Sequence, residues 1–167
     1  MKTEMNQAPG VLVRCFLAVC GLLVLAGCDG GSDSGGTGAA PGSDIPPRNI
    51  WRASGDLNQP ANAIDGSPST AAVSAPGTVN AHLLLDLGRP AIFNRIVIEQ
   101  GDEYGFPQKL AVWTSLDGQN YTLQAEVPGK RRVTNVSLVG PVLARYIRLQ
   151  AVVPGEKPWS IAEIVLQ

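Results

Sequence analysis

Between residues 48 and 167 no helical period of apolar residues lasts for ten positions. Short apolar or alternating runs recur instead, at 49–53, 82–87, 92–99, 109–115, 121–127, 132–138, 143–152 and 161–166. Gly88-Arg89-Pro90, Asp117-Gly118, Pro128-Gly129, Gly140-Pro141 and Pro154-Gly155 stand between them, and such pairs punctuate a chain because Gly accepts positive φ and Pro lacks an N–H. Eight short strands with no crossover helix predict an all-β fold, an antiparallel jelly-roll β-sandwich of about eight strands. Within 82–87, Leu83, Leu85 and Leu87 share one face, and His82, Leu84 and Asp86 share the other. Within 145–150, Ile147 and Leu149 alternate with Tyr146, Arg148 and Gln150. Two such apolar rows facing each other make a core, and 120 residues are enough to build it without staples. Asp117-Gly118 predicts a tight hairpin, and Ala61-Asn62-Ala63-Ile64 one short helical turn.

The N-terminal quarter has another character. Lys2 and Arg14 precede an uncharged apolar run, Cys15 to Gly27. A span needs about 20 such residues, so this run predicts a signal h-region within a signal peptide over 1–27. It ends in Leu25-Ala26-Gly27-Cys28, which resembles the bacterial lipobox, and the resemblance implies lipidation of Cys28. It further implies a chain anchored to a membrane of the bacterial cell envelope, facing the periplasm or the exterior. Asp29 resembles the signal for retention at the inner membrane of two-membrane bacteria. Residues 29–47 hold six Gly, three Ser and three Asp against one large apolar residue, Ile45. They bury too little surface to offset ordering entropy, so 28–47 reads as a flexible linker with a reach of about 25 Å.

A family resemblance covers nearly all of 48–167. Pro60-Ala61-Asn62-Ala63-Ile64-Asp65-Gly66 with Thr70 comes first, followed by Leu83-Leu84-Leu85-Asp86-Leu87-Gly88 and Arg95-Ile96-Val97-Ile98. Then come Ser115-Leu116-Asp117-Gly118 with Tyr121, Ala144-Arg145-Tyr146-Ile147-Arg148, and Ala162-Glu163-Ile164. In this order the pieces resemble the discoidin, or coagulation-factor-type C, domain, and most closely the bacterial family-32-like carbohydrate-binding modules with their galactose-binding-like jelly roll. Ala72 stands where the family often has Trp, and His82 where it often has a large residue. Many animal members join their ends with a Cys pair. The three cysteines here all lie at or before position 28, which favours the bacterial branch.

The resemblance implies a structural Ca²⁺ held by Asp65, Thr70 and Glu163, since that ion takes six to eight hard oxygens. The alternative is a plain Asp65-Gly66 turn with Glu163 bonded to loop amides. Loops 100–107 and 154–159 join strands at an end of the sandwich. There Tyr104, Phe106 and Trp159 are candidate plates for the apolar face of a pyranose, and Asp102, Glu103 and Lys157 candidate partners for its hydroxyls. Phe106 and Trp159 equally suit plugging the end of a core. Trp113 alternates away from Val112 and is a second candidate plate. His82 reads as a packed edge residue, and Lys130-Arg131-Arg132 as a solvated hairpin end or a contact for acidic glycan or anionic lipid.

Catalysis finds no support. There is no nucleophile elbow, no phosphate loop, and only one histidine. Asp102 and Glu103 are adjacent rather than flanking a bond, as glycoside cleavage requires. Charge is balanced, 13 basic against 14 acidic residues, which argues against nucleic acid. The expected role is a membrane-tethered, non-catalytic module for a glycan or cell-surface polysaccharide. The alternative is an adhesion or assembly domain with a protein or membrane partner.

Overall fold

The computed structural model describes residues 45–101 and 105–167. A 3-10 turn, Arg48–Ile50, leads into β1 (Arg52–Gly55), and a second such turn, Pro60–Ala63, falls on the predicted helical turn. Then follow β2 (Ala72–Val73), β3 (His82–Glu99), β4 (Lys109–Ser115), β5 (Thr122–Val127), β6 (Val133–Val153), β7 (Ser160–Ile161) and β8 (Glu163–Leu166). Every pairing between these strands is antiparallel. This is the expected jelly-roll sandwich.

β3 and β6 each serve two layers. The first half of β3 lies between β1 and the second half of β6, which continues to β4 and β5. The second half of β3 lies between β8 and the first half of β6. Runs 82–87 and 92–99, expected as separate strands, are therefore one strand, as are 132–138 and 143–152. Gly88-Arg89-Pro90 and Gly140-Pro141 do not end the strands; they sit where the register shifts, between Asp86/Ala91 and Phe93/Arg95. A bulge is where a strand tolerates Pro and gains its bend. Gly88 takes φ +79°, and its N–H donates to Asp86 Oδ1 at 2.8 Å. The run 49–53 also departs from expectation, turning through the first 3-10 turn before β1 begins.

The core lies between the layers. Leu83 faces Leu149 and Leu85 faces Ile147 across β3–β6, and Val112 of β4 pairs beside Leu149. Ile96, Ile98, Val136, Ile164 and Leu166 close it from the other layer. Both alternations read from the sequence hold: these leucines and isoleucines are buried, whereas His82, Leu84, Asp86, Tyr146, Arg148 and Gln150 share the opposite, half-buried face. Asp86 there takes a fork from Arg145, Nε to Oδ1 at 2.7 Å and Nη2 to Oδ2 at 2.9 Å. That fork holds the Asp86 carboxyl below its ordinary range and pushes the Arg145 guanidinium up.

Ile147 is fully buried in the middle of this core. Ile147→Ala is expected to destabilise the domain by about 2–5 kcal/mol, read as a lower urea midpoint with unchanged slope.

Candidate functional site

At the end of the sandwich where β4 begins, three segments close on one another. Gly105 is bridged to Trp159, its N–H donating to Pro158 O at 2.9 Å and its carbonyl accepting from Ser160 N at 3.2 Å. A Cβ on Gly155 would come within 2.0 Å of Phe106 O, and one on Gly129 within 2.1 Å of Pro107 O. Only glycine permits this approach, so the Pro128-Gly129 and Pro154-Gly155 turns hold segment 105–107 from two sides. The open hollow between them measures about 480 Å³ and is lined by Phe106, Gln108, Arg131, Glu156 and Lys157, with Gly105 and Gly155.

This cavity uses some of the expected residues and rejects another. Phe106, half-buried, and Lys157, exposed, both line it. Trp159 does not serve as a plate. The residue is 3 % exposed within the core, and its backbone N–H donates to Ser74 Oγ at 2.9 Å while its carbonyl accepts from Ser74 N at 2.8 Å. Of the two roles that suited Trp159, plugging the end of the core is the one observed. Asp102, Glu103 and Tyr104 lie outside the described residues, as does Cys28. Arg131 enters the cavity wall from the basic run that reads as a solvated hairpin end. Gln108 and Glu156 carry no signal in the sequence that separates them from other loop residues.

The Asp65 loop is a self-contained set of oxygens. Asp65 Oδ2 accepts from Thr70 Oγ1 at 2.7 Å, its Oδ1 from Ser67 N at 2.8 Å, and Thr70 Oγ1 also bonds Ser67 O at 3.0 Å. The Thr70 hydroxyl, then the Ser67 amide, hold the Asp65 carboxyl below its usual range. The neighbouring turn Pro60–Ala63 packs on β8, which carries Glu163. Glu163 Oε1 accepts from Arg48 and from Ile164 N, whereas its Oε2 is buried with no partner. No three acidic, histidine or cysteine side chains converge among the described residues. A hard cation would lean on Thr70 and carbonyl oxygens as well as on Asp65. The orphaned Oε2 of Glu163 and this oxygen set fit such an ion in chemistry.

Comparison with known proteins places the chain. The F5/8 type C domain matches residues 47–164. The family 32 carbohydrate-binding module of Clostridium perfringens NanJ, solved with galactose, has 24% identity and a TM-score of 0.65, covering 75% of this chain and 97% of that one. A C. perfringens module solved with GalNAc-β-1,3-galactose has 20% identity and a TM-score of 0.64, covering 72% and 96%. Chitosan-binding module 1 of a Paenibacillus sp. IK-5 chitosanase/glucanase has 20% identity and a TM-score of 0.62, covering 71% and 95%. At these identities the likeness is one of fold. The search of curated proteins gives no match.

Proposed function

The chain belongs to the F5/8 type C domain family, and from that premise we propose that it is a non-catalytic carbohydrate-binding module tethered at the bacterial cell envelope. The observation that carries this reading is the loop cavity. An aromatic ring, Phe106, stands there beside two cations, an amide and a carboxylate, within one preformed hollow. A pyranose offers an apolar face for the ring and hydroxyls for the polar groups. The solved relatives named above were crystallised with or named for galactose, GalNAc-β-1,3-galactose and chitosan, which supports a saccharide as the ligand class.

One half-buried ring gives modest affinity, with dissociation constants of about 10 μM to 1 mM. On a glycan array the full chain in detergent should select a saccharide class. Phe106→Ala and Lys157→Ala should each weaken that binding at least tenfold with circular dichroism unchanged. Retained glycan binding in both variants, with attachment to cells or vesicles lost, would assign the loops to adhesion instead.

The tether in this reading is lipid on Cys28, followed by the Gly/Ser/Pro linker. Cys28→Ser is expected to abolish metabolic labelling with palmitate, and unchanged labelling rejects the anchor.

Calcium belongs to the same reading as a structural ion. Asp65, Thr70 and Glu163 would hold it, joining the Asp65 loop to β8 and replacing internal hydrogen bonds by metal–oxygen contacts. Calcium should then raise the melting temperature by mass action, and Asp65→Ala should remove the response. Identical melting in calcium and in chelator would reject the ion.

A further inference from the structure

β3 and β6 both leave register at the bend, and they do so in complementary places. Between the pairs Asp86–Tyr146 and Ala91–Ala144, four residues of β3, Leu87 to Pro90, stand against Arg145 alone. Between Phe93–Val142 and Arg95–Ser137, four residues of β6, Leu138 to Pro141, stand against Asn94 alone. Four residues against one cannot lie flat, so each stretch rises from the sheet as a crest. The first crest carries Gly88, Arg89 and Pro90, all exposed, over a buried Leu87. The second carries Val139, 105 % exposed, and an exposed Pro141 over a buried Leu138. Three register pairs separate the crests, and the middle one, Ile92–Leu143, is exposed on both strands.

Leu116, also exposed, extends this apolar line from the β4–β5 hairpin, where it lines a hollow of about 300 Å³ with Val142 and Leu143. The corner so built lies away from the loop cavity. β6 starts just after Arg131 and ends just before Gly155, both of which line that cavity, and its bend falls between the two arms. Arg89 is in no ion pair among the described residues. The neighbouring arginines are committed, Arg145 to Asp86 and Arg95 to Gln167 Oε1 and Asn135 Oδ1. The carboxylate of Asp117, next to Leu116, is taken up by Ser115 Oγ, Gln119 N and both the amide N and Nδ2 of Asn120.

Exposed aliphatic residues scattered singly need no partner, but Val139, Ile92, Leu143 and Leu116 at one corner with a cation beside them call for one. No aromatic side chain lines the hollow, so a pyranose finds no plate there. A second copy would bring the two Arg89 side chains into one small patch, like charge against like. An anionic lipid surface answers both features, taking the aliphatic groups at its headgroup boundary and pairing Arg89 with phosphate. The tethered segment also passes this corner. Ile50, five residues after the first described residue, Ile45, lies at the foot of the cationic crest, where a Cβ on Gly88 would fall 3.0 Å from its Cδ1.

We propose that this corner docks on the lipid surface to which the chain is tethered and so turns the loop cavity away from the membrane. The inference rests on the lipid tether of the preceding section and not on the glycan assignment. So small a contact does not hold a free protein on a membrane. A tether makes the contact intramolecular, and the effective concentration it supplies makes a weak contact sufficient.

The test uses the lipidated chain, purified from palmitate-labelled cells and reconstituted in vesicles of phosphatidylglycerol and phosphatidylcholine. A nitroxide is placed at Val139→Cys, or at Lys157→Cys beside the loop cavity, and its collisions with oxygen and with a water-soluble nickel chelate are measured. The chelate should reach position 139 about tenfold less often than position 157, while oxygen, which concentrates in lipid, reaches it more often. Arg89→Glu, an exposed substitution that leaves circular dichroism unchanged, should raise chelate access at 139 several-fold, as should vesicles of phosphatidylcholine alone. Equal chelate access at the two positions overturns the proposal. So does protection of 139 that ignores both Arg89→Glu and the loss of anionic lipid. Spin–spin broadening at 139 that vanishes on dilution with unlabelled chain overturns it as well, by seating a second copy there. A palmitate-labelled chain with a water-exposed Val139 rejects the docking alone, whereas a chain without palmitate rejects the tether and the docking with it.

Discussion

The pairing of β3 with β6 is the constraint on which the rest depends. These strands run 18 and 21 residues, well beyond ordinary strand length, and each contributes to both layers. A strand that long keeps both faces productive only if it bends. The bend is set just after Asp86, the last residue in register before the bulge, which takes the Arg145 fork and receives the N–H of Gly88. Two motifs separated by 59 positions thus meet as a single ion pair. The apolar rows on either side of that pair form the core, and the loops beyond the strand ends form the cavity beside Phe106. Displacing β3 by one residue against β6 would turn Leu83, Leu85 and Leu87 away from the core.

Much of this was legible in the sequence because alternation is a local signal. The inward and outward sets of β3 and β6 follow from side-chain period alone. The Asp117-Gly118 turn follows from the need for positive φ, and Gly118 adopts +75°. Gly88-Arg89-Pro90 and Gly140-Pro141 misled for a definite reason. Locally a Gly/Pro pair announces a break. Whether it becomes a turn or a bulge depends on whether a partner strand carries a matching irregularity, and that partner lies some 50 residues away. The two-residue strand β2 was invisible for the same cause, and the run 161–166 divides into β7 and β8 because Ile161 pairs with Ala72 whereas Glu163–Leu166 pair with β3.

The candidate site was legible by region rather than by residue. Loops 100–107 and 154–159 were picked out for their aromatics, and the cavity draws Phe106 and Lys157 from them. The choice among aromatics was not readable. Trp159 and Phe106 both sit in loops beside Pro and Gly, but the bonds of Trp159 to Ser74 tie it into the interior. Arg131 reaches the same cavity from the β5–β6 connection because Gly129 packs against Pro107. That contact has no signature beyond a Pro-Gly pair.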